Sequence, residues 1–424
     1  MKITNISIKN FKRFEDELFL FNPKVTVLIG DNGTGKSTVL DALSFILGTF
    51  FLGVDGVKSR PLSNSEKRRV IASPESVEVQ LPFCIGVEHS LDNINYQWKR
   101  STNKVRSGVT SQKEARDLIN KAKDLTERVR NGEEVNLPLI AYYGTERLSE
   151  QFQKSAYAKK SSRLDGYYSA LDPRSFEQKF LSWFKTFEDS ALKFNKDKTL
   201  YNAFISAIKN MIPEWKNVVF SWEADDMLCQ VESGDWVAYK TLSSGYKNVV
   251  RLTADIAYRA IKLNPHLADM AVLSTSGVVL IDELDMHLHP KWQKTIIEDL
   301  KRTFPKIQFI VTTHSPFIIQ SLKTDEVLNL DGGEVIDPFM KSIDDIAEEV
   351  QQIEIPQMSN KKKAMLTCAN EYFDKLDELE KSNVTEDQIL EIKNRLDEIS
   401  ALYEDNMAYV AFLERKRLIT ESKL

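Results

Sequence analysis

The stretch Val25-Thr26-Val27-Leu28-Ile29-Gly30-Asp31-Asn32-Gly33-Thr34-Gly35-Lys36-Ser37 decides the fold of this 424-residue chain. It begins with a short apolar run rich in β-branched side chains, which is typical of a buried strand. From Gly30 onward it fits the pattern G-x-x-x-x-G-K-[ST] at every constrained position. Residues 40–47 carry apolar side chains at helical spacing. A strand, a glycine-rich loop and a helix in this order predict a phosphate-binding loop in an α/β fold.

The residue types in this loop suit the binding of a nucleotide. Glycines let backbone N–H groups approach a phosphate without Cβ clashes, and the following helix N-terminus adds partial positive charge. Lys36 can neutralise phosphate oxygens, and Ser37 offers a hydroxyl to Mg²⁺. A chance glycine-rich turn is the alternative, which the matching context disfavours. We expect nucleotide contacts from Gly30, Asn32, Gly33, Thr34, Gly35, Lys36, Ser37 and Thr38.

The composition argues against several classes of protein. The formal net charge is −5, from 57 basic and 62 acidic residues, so a general coating of phosphate-binding cations is absent, although a local basic groove remains open. No apolar run approaches the ~20 residues of a membrane span, and the N-terminus is unlike a secretory leader. Three widely separated cysteines favour a reducing, cytoplasmic compartment over a disulfide framework.

A second apolar run, residues 278–281, ends in Asp282 and Glu283. The ends of strands in α/β sheets are where ligands bind. We therefore expect Asp282 to hold Mg²⁺ together with Ser37. Glu283 is expected to orient or deprotonate an attacking water. A solvated acidic turn is the alternative interpretation.

Two further segments carry polar groups at the ends of predicted elements. Thr241-Leu242-Ser243-Ser244-Gly245-Tyr246 precedes a predicted helix, and hydroxyls with a glycine at a helix N-terminus form an anion-binding device. The apolar run 307–311 leads to His314 at a strand end. A plain helix N-cap and a buried structural histidine are the respective alternatives.

The order of phosphate loop, serine-glycine segment, acid pair and histidine resembles that of the ABC-type ATPases. In that family the segment whose usual form is Leu-Ser-Gly-Gly-Gln caps the γ-phosphate of a nucleotide held by the other subunit. The resemblance implies a Mg²⁺-dependent ATPase that forms a homodimer, or a higher even oligomer, around ATP. Its expected contacts with the partner's nucleotide are Ser243, Ser244 and Gly245.

The same resemblance assigns catalysis to Glu283 and His314. His314 corresponds to the switch histidine, which contacts the γ-phosphate and the attacking water. Residues 284–290 resemble the D-loop that crosses the dimer interface of the family. A metal site at His287 and His289 is the alternative for that loop. The Q-loop residue of the family stays unassigned between Tyr143 and Arg147.

The opening segment, residues 6–14, resembles the SMC and RecF-like ATPases rather than transporter subunits. Residues 139–148, 242–248 and 284–290 are more specific, because they resemble the compact ATPases of the Septu and retron antiphage systems. In those systems the ATPase pairs with an HNH-type nuclease. The resemblance implies a sensor or regulatory subunit without a nuclease centre of its own. A RecF-like DNA repair ATPase and a nucleotide-gated scaffold with little hydrolysis are the alternatives.

We predict an α/β fold: an ABC-ATPase head with a mixed or parallel sheet, an inserted helical subdomain and a C-terminal helical hairpin. The split ATPase domain is expected at residues 1–335, with the helical insertion at 110–215. Charged helical patterning without glycine predicts a separate module at residues 336–424. That module either docks a partner protein or covers its own ATPase core.

A basic stretch without an intervening acid lies within the predicted insertion and surrounds Tyr157. It could contact nucleic-acid phosphates, with the tyrosine as a stacking platform. A solvated helix face is the alternative, and a partner protein could carry any nucleic-acid contact instead. The basic residues are Lys154, Lys159, Lys160 and Arg163.

Overall fold

The computed structural model describes residues 1–73, 76–91, 94–106, 108–148, 162–172, 181, 184–189, 198–332, 337–351, 358–379, 390–391, 394, 397–398 and 413–415. The chain divides into two compact units, residues 1–346 and 347–424. The first unit contains the phosphate loop and the acid pair. None of the helices in the described ranges is long and apolar enough to cross a membrane.

The strands of the described residues all lie in the first unit. They are β1 Lys2–Phe11, β2 Phe14–Leu20, β3 Val25–Ile29, β4 Arg69–Ser73, β5 Ser76–Val79, β6 Phe83–Leu91, β7 Ile94–Thr102, β8 Leu139–Tyr143, β9 Trp215–Ser221, β10 Asp226–Val231, β11 Trp236–Ala238, β12 Gly277–Ile281, β13 Ile307–Thr312 and β14 Val327–Asn329.

The α-helices of the described residues follow the same numbering along the chain. They are α1 Lys36–Phe51, α2 Arg116–Arg130, α3 Lys198–Met211, α4 Ser244–Leu263, α5 Ala271–Ser274, α6 Pro290–Gln293, α7 Ile296–Thr303, α8 Pro316–Gln320, α9 Ile343–Asp345 and α10 Asn360–Leu379.

A parallel sheet with the strand order β14-β3-β13-β12-β8 forms the centre of the first unit. Every neighbouring pair in it is parallel. All residues of β3, β12 and β13 are buried, as expected for apolar runs that other elements cover on both faces. The prediction of an α/β fold with a parallel sheet is therefore confirmed, and all five strands end at one edge.

Helix α1 is buried between two sheets. It packs on β12 and β13 of the parallel sheet and on β1 and β6 of an antiparallel sheet with the order β2-β1-β6-β7. Of its 16 residues, 13 are buried, which is typical of a helix that is apolar on every side. Phe45 and Phe50 are fully buried, and each such side chain contributes about 1.5–3 kcal/mol to stability. This packing fixes the start of α1 directly after the phosphate loop.

The range 110–215, predicted as a helical insertion, contains helices and also a core strand. Helices α2 and α3 lie in it, and β8 lies between them and pairs with β12. The basic stretch at residues 154–160 lies outside the described residues. Arg163 is described, and its guanidinium donates to the backbone carbonyls of Leu263 and Glu133 at 2.9 and 3.1 Å. This cation therefore joins the last residue of helix α4 to the loop that follows helix α2.

The second unit begins with described helical structure. Helix α10 spans Asn360–Leu379 and corresponds to the first helix of the predicted C-terminal hairpin. Most of the second predicted helix lies outside the described residues.

Candidate nucleotide-binding site

The carboxyl ends of the five parallel strands place the predicted site residues along one edge of the sheet. Strand β14 leads to Asp331, and β3 leads to the phosphate loop. Strand β13 ends at Thr312, just before His314, and β12 ends just before Asp282 and Glu283. Strand β8 is followed by a short turn that holds Arg147. This edge is where open α/β sheets bind their ligands.

The phosphate loop has the backbone of an anion cradle. Gly30, Gly33 and Gly35 have φ values of 135°, 87° and 108°, which favour glycine strongly over other residues. A Cβ on Gly35 would also lie 2.5 Å from the ring of Phe14. The loop therefore needs its glycines for both conformation and space. Its residues Asn32 and Gly33 are exposed, and Thr34 and Thr38 are half-buried.

Lys36 lies under this loop with its ammonium group directed at the loop backbone. Nζ donates to the carbonyl oxygens of Gly30 and Asp31 at 2.7 and 2.8 Å. Burial lowers the pKa of Lys36, and the nearby carboxylates of Asp331, Asp31, Asp282 and Glu283 oppose that shift. A cation in this position can exchange carbonyl oxygens for phosphate oxygens, with which it forms stronger, charge-assisted hydrogen bonds.

Ser37 and Asp282 are 245 residues apart in sequence and lie in contact. Ser37 Oγ donates to Oδ1 of Asp282 at 3.2 Å. Thr312 Oγ1 donates to the same carboxylate oxygen at 2.6 Å and accepts from the backbone N–H of Glu283 at 2.7 Å. Hydroxyl and carboxylate oxygens are the ligands that Mg²⁺ prefers. The two residues predicted to hold the metal are therefore close enough to share one.

Glu283 differs from Asp282 in its exposure and backbone. Asp282 is buried, whereas Glu283 is exposed with φ of 48°. This left-handed conformation is uncommon for a residue other than glycine and costs about 1–3 kcal/mol. It is held by surrounding hydrogen bonds. The side chain of Glu283 is therefore accessible to solvent, whereas that of Asp282 is enclosed.

The loop that carries His314 is fixed by Asp285. Oδ1 of Asp285 accepts from the hydroxyl of Thr313 and from the backbone N–H of His314, the latter at 3.3 Å. His314 itself is exposed. The two residues predicted as catalytic, Glu283 and His314, thus follow the neighbouring strands β12 and β13.

The serine-glycine segment begins helix α4 on another side of the acid pair. Ser243 and Ser244 are exposed, whereas Gly245 is buried, and a Cβ on Gly245 would lie 2.6 Å from the carbonyl oxygen of His287. Tyr246 stacks on Trp215 at 5.8 Å and meets Trp292 edge-on at 4.2 Å. Among hydrogen bonds between described residues, none joins this segment to the phosphate loop.

The loop 284–290 makes structural contacts that account for one of its histidines. Nδ1 of His289 accepts from the backbone N–H of Lys291 at 3.2 Å and so caps α6. Within the described ranges, no group of three or more His, Cys, Asp or Glu side chains is placed to hold a metal ion. The His287 and His289 metal site therefore lacks a third ligand there.

Sequence reasoning missed three residues that organise the site. Thr312 contacts both Asp282 and the backbone N–H of Glu283. Asp331 accepts from the backbone N–H of Asp31 at 2.8 Å. Both follow or end parallel strands, so the rule that identified Asp282 could have found them. Arg147 donates to the backbone carbonyls of the acid pair. The sequence placed it within the family resemblance of residues 139–148 and at the end of the Q-loop zone, without a role of its own.

Comparisons with known proteins identify the family of this chain. A family model described as "AAA domain, putative AbiEii toxin, Type IV TA system" matches residues 25–320. The "Retron Vc95 probable ATPase" of Vibrio cholerae serotype O1 biovar El Tor is 27% identical over 77% of this chain and 73% of that protein. The "Septu protein PtuA" of Bacillus mycoides (strain KBAB4) is 24% identical over 77% of this chain and 40% of that protein.

Among solved structures, the SMC head domain from Thermotoga maritima is similar with a TM-score of 0.42. It is 15% identical and covers 78% of this chain and 94% of that chain. The predicted resemblance to the ATPases of retron and Septu systems is confirmed by the two curated relatives.

Proposed function

The chain belongs to the family described as "AAA domain, putative AbiEii toxin, Type IV TA system", and on that premise we propose that it is a Mg²⁺-dependent ATPase of an antiphage defence complex. Two copies would enclose two ATP molecules, and ATP hydrolysis would regulate a partner protein. The observation that carries the proposal is the contact between Ser37 and Asp282 at the end of the parallel sheet. It unites a phosphate loop and an acidic strand end in one site.

The residues present fit a nucleotide and a magnesium ion. The positive-φ glycines leave backbone N–H groups to cradle phosphates, and Lys36 supplies a positive charge beneath them. Ser37 and Asp282 would hold Mg²⁺, which when bound neutralises charge on the phosphate oxygens. Thr312 fixes the carboxylate of Asp282 in place from the next strand.

Glu283 is the residue that we assign to the activation of water. Its exposed carboxylate follows the metal-binding residue directly, and its backbone is held by Thr312 and Arg147. A carboxylate in this position can accept a proton from a water that attacks the γ-phosphate. His314, placed by Asp285, would contact the same phosphate.

Substitution of Glu283 by glutamine tests this assignment. We expect Glu283→Gln to bind ATP with nearly unchanged affinity and to hydrolyse it at least ~100-fold more slowly, since general-base catalysis contributes roughly 10²–10⁴-fold. Phosphate release and nucleotide binding are measured on the same preparation. Glu298→Gln is the matched control, because Glu298 is exposed and paired only with its own helix neighbour among the ion pairs of the described chain. Hydrolysis by Glu283→Gln at the wild-type rate would exclude Glu283 as the base.

The dimer part of the proposal is supported by the position of the serine-glycine segment. Ser243 and Ser244 are exposed, and no hydrogen bond in the described part of the chain connects them to their own phosphate loop. In a two-fold dimer, the same surface of each copy would face the other's nucleotide.

Mixing two inactive variants tests whether the site is shared. Lys36→Met disables the phosphate loop, and Ser243→Glu places a negative charge where the partner's phosphate would lie. In a shared site, an equal mixture contains heterodimers with one intact site and regains about a quarter of wild-type hydrolysis. No recovery on mixing, after exchange of subunits has been verified, would place both elements at the same chain's nucleotide.

The defence role rests on the family and on the retron and Septu relatives. We propose that the partner is a nuclease of the HNH type, in line with the resemblance drawn from residues 139–148, 242–248 and 284–290. Expression with its neighbouring genes and affinity purification, with and without ATP, tests this step. Stable association with membrane permeases instead of a nuclease would overturn it.

A further inference from the structure

Arg147 lies where three parts of the chain meet beneath the acid pair. It belongs to a 3-10 turn, Thr145–Leu148, that follows strand β8. Its Nε donates to Oδ1 of Asn248 in helix α4 at 3.1 Å. One terminal nitrogen donates to the backbone carbonyl of Asp282, and the other donates to that of Glu283 at 2.7 Å. A single guanidinium therefore joins β8, the acid pair and helix α4.

This arrangement requires the shape of arginine. The guanidinium is planar and presents five donors in a fixed fork, whereas lysine is a point charge on a flexible stem. Arg147 is 6% exposed, and its burial lowers its pKa to about 10 against the opposing effect of the carboxylates of Asp282 and Glu283. Burying a cation is costly unless hydrogen bonds compensate it. Its contacts with the loop carbonyls supply that compensation.

The other end of the connection lies in the first turns of helix α4. Asn248 is buried and donates through Nδ2 to the carbonyl of Met286 at 2.8 Å. It thus contacts Arg147 through one side-chain atom and the loop after Glu283 through the other. Ser244, the first residue of α4, lies one helical turn before Asn248. Any displacement of the serine-glycine segment along α4 acts on both contacts.

We propose that Arg147 is a positioning residue that couples the serine-glycine end of helix α4 to the backbone of Asp282 and Glu283. The position of that helix then sets the orientation of Glu283, whose left-handed backbone depends on support from its surroundings. This inference rests on the proposed function, because it takes Glu283 as the residue that acts on water. Arg147 contacts main-chain oxygens of the acid pair and so acts through that pair.

The test is Arg147→Lys in the full chain, with Arg100→Lys as the matched control. Arg100 is 5% exposed, its pKa is also lowered to about 10 by burial, and its Nε donates to the hydroxyl of Thr110 in the antiparallel part of the unit. We expect Arg147→Lys to lower kcat at least ~10-fold, while KM and ATP affinity change less than about threefold. Arg100→Lys should keep kcat within about twofold, whatever its effect on melting temperature.

Asn248→Ala provides the second arm of the experiment. If Arg147 transmits the position of α4 through Asn248, the double variant should hydrolyse ATP no more slowly than the more damaged single variant. Multiplicative losses would show that the two residues act independently and would overturn the coupling. If Arg147→Lys does not fold, Asn248→Ala alone tests the coupling, because it removes the contact between Arg147 and helix α4. Unchanged kcat in that variant would then overturn the coupling.

Hydrogen exchange in the nucleotide-free protein separates this inference from the proposed function. We expect the backbone amides of residues 282–288 to exchange at least ~10-fold faster in Arg147→Lys and in Asn248→Ala, and unchanged in Arg100→Lys. Unchanged exchange together with unchanged kcat would overturn the role of Arg147 while leaving the effect of Glu283→Gln intact. Loss of protection in a chain whose wild type lacks hydrolysis would support the positioning role and overturn the ATPase proposal.

Discussion

Two buried lysines lie in different surroundings, one under the phosphate loop and one beside the antiparallel sheet. Lys36, under the phosphate loop, donates to the carbonyls of Gly30 and Asp31. Lys67, beside the antiparallel sheet, donates to the carbonyls of Lys104 and Val105 at 2.7 and 2.9 Å. Burial lowers the pKa of both lysines. At Lys36, nearby carboxylates oppose the lowering of the pKa by burial. The carbonyls that accept from Lys36 belong to the phosphate loop, which follows the end of strand β3.

Arg147 and Arg100 repeat the comparison. Their exposure is nearly the same, and burial lowers the pKa of each to about 10. Arg100 donates to Thr110 and lies 4.3 Å from the centroid of Phe45, so its surroundings are those of a packed interior. Arg147 donates to the main chain of the acid pair. Burial of the charge therefore does not distinguish the two arginines, whereas the elements that accept their hydrogen bonds do.

The largest expected difference between the two regions concerns nucleotide affinity. Lys36→Met should weaken ATP binding roughly a thousandfold, since two charge-assisted hydrogen bonds to phosphate contribute about 4 kcal/mol together. Lys67→Met should leave ATP affinity within about threefold and lower the melting temperature instead. Titration with a fluorescent ATP analogue and thermal unfolding measure both variants. An equal loss of affinity in Lys67→Met would break the distinction between the regions.

A smaller effect is expected from His89 in the antiparallel sheet. His89 is 1% exposed, lies edge-on to Trp98 at 4.5 Å, and burial lowers its pKa from 6.5 to about 4. Below pH 6.5 the unfolded chain therefore binds a proton at His89 that the folded chain does not bind. The free energy of unfolding should fall by about 3 kcal/mol from this group as the pH drops from 6.5 to 4, and not above pH 6.5.

His89→Phe checks this sign, because phenylalanine can fill the same space between the rings of Tyr96 and Trp98. We expect the free energy of unfolding of the variant to lack the fall of about 3 kcal/mol that His89 causes in acid. At pH 7.5 it should lie within about 1 kcal/mol of the wild-type value. Denaturant unfolding at pH 7.5, 6.5, 5.5 and 4.5 measures it. If the free energy of unfolding fell equally with pH in both proteins, His89 would not be the cause of the acid destabilisation.

The smallest effect is expected on the outer face of the antiparallel sheet. Leu20 on strand β2 is 67% exposed, so Leu20→Thr should change the free energy of unfolding by no more than about 0.5 kcal/mol and leave ATP affinity unchanged. Denaturant unfolding and nucleotide titration measure this variant too. A loss above about 1 kcal/mol would indicate that this face is covered in the folded protein.

Much of the site could be predicted because its residues sit in local patterns. The glycines of the phosphate loop have positive φ, and only a glycine-rich sequence adopts such a loop without strain. Asp282 and Glu283 directly follow an apolar run, so their place at a strand end was readable. Gly245 was expected to contact a nucleotide, and the structure gives it a packing reason as well, since it lies against the carbonyl of His287.

The sequence by itself determined the buried strands, the glycine loop and the acid pair, because strand periodicity and glycine conformation are local properties of the chain. Only the tertiary structure decided which of these elements meet. Asp31 and Asp331 are 300 residues apart, and Arg147 and Asp282 are 135 apart. Such hydrogen bonds depend on the strand order β14-β3-β13-β12-β8. A buried polar group forms hydrogen bonds with the groups that the folded sheet brings next to it. Local sequence patterns do not predict those partners, because the partners are distant in sequence.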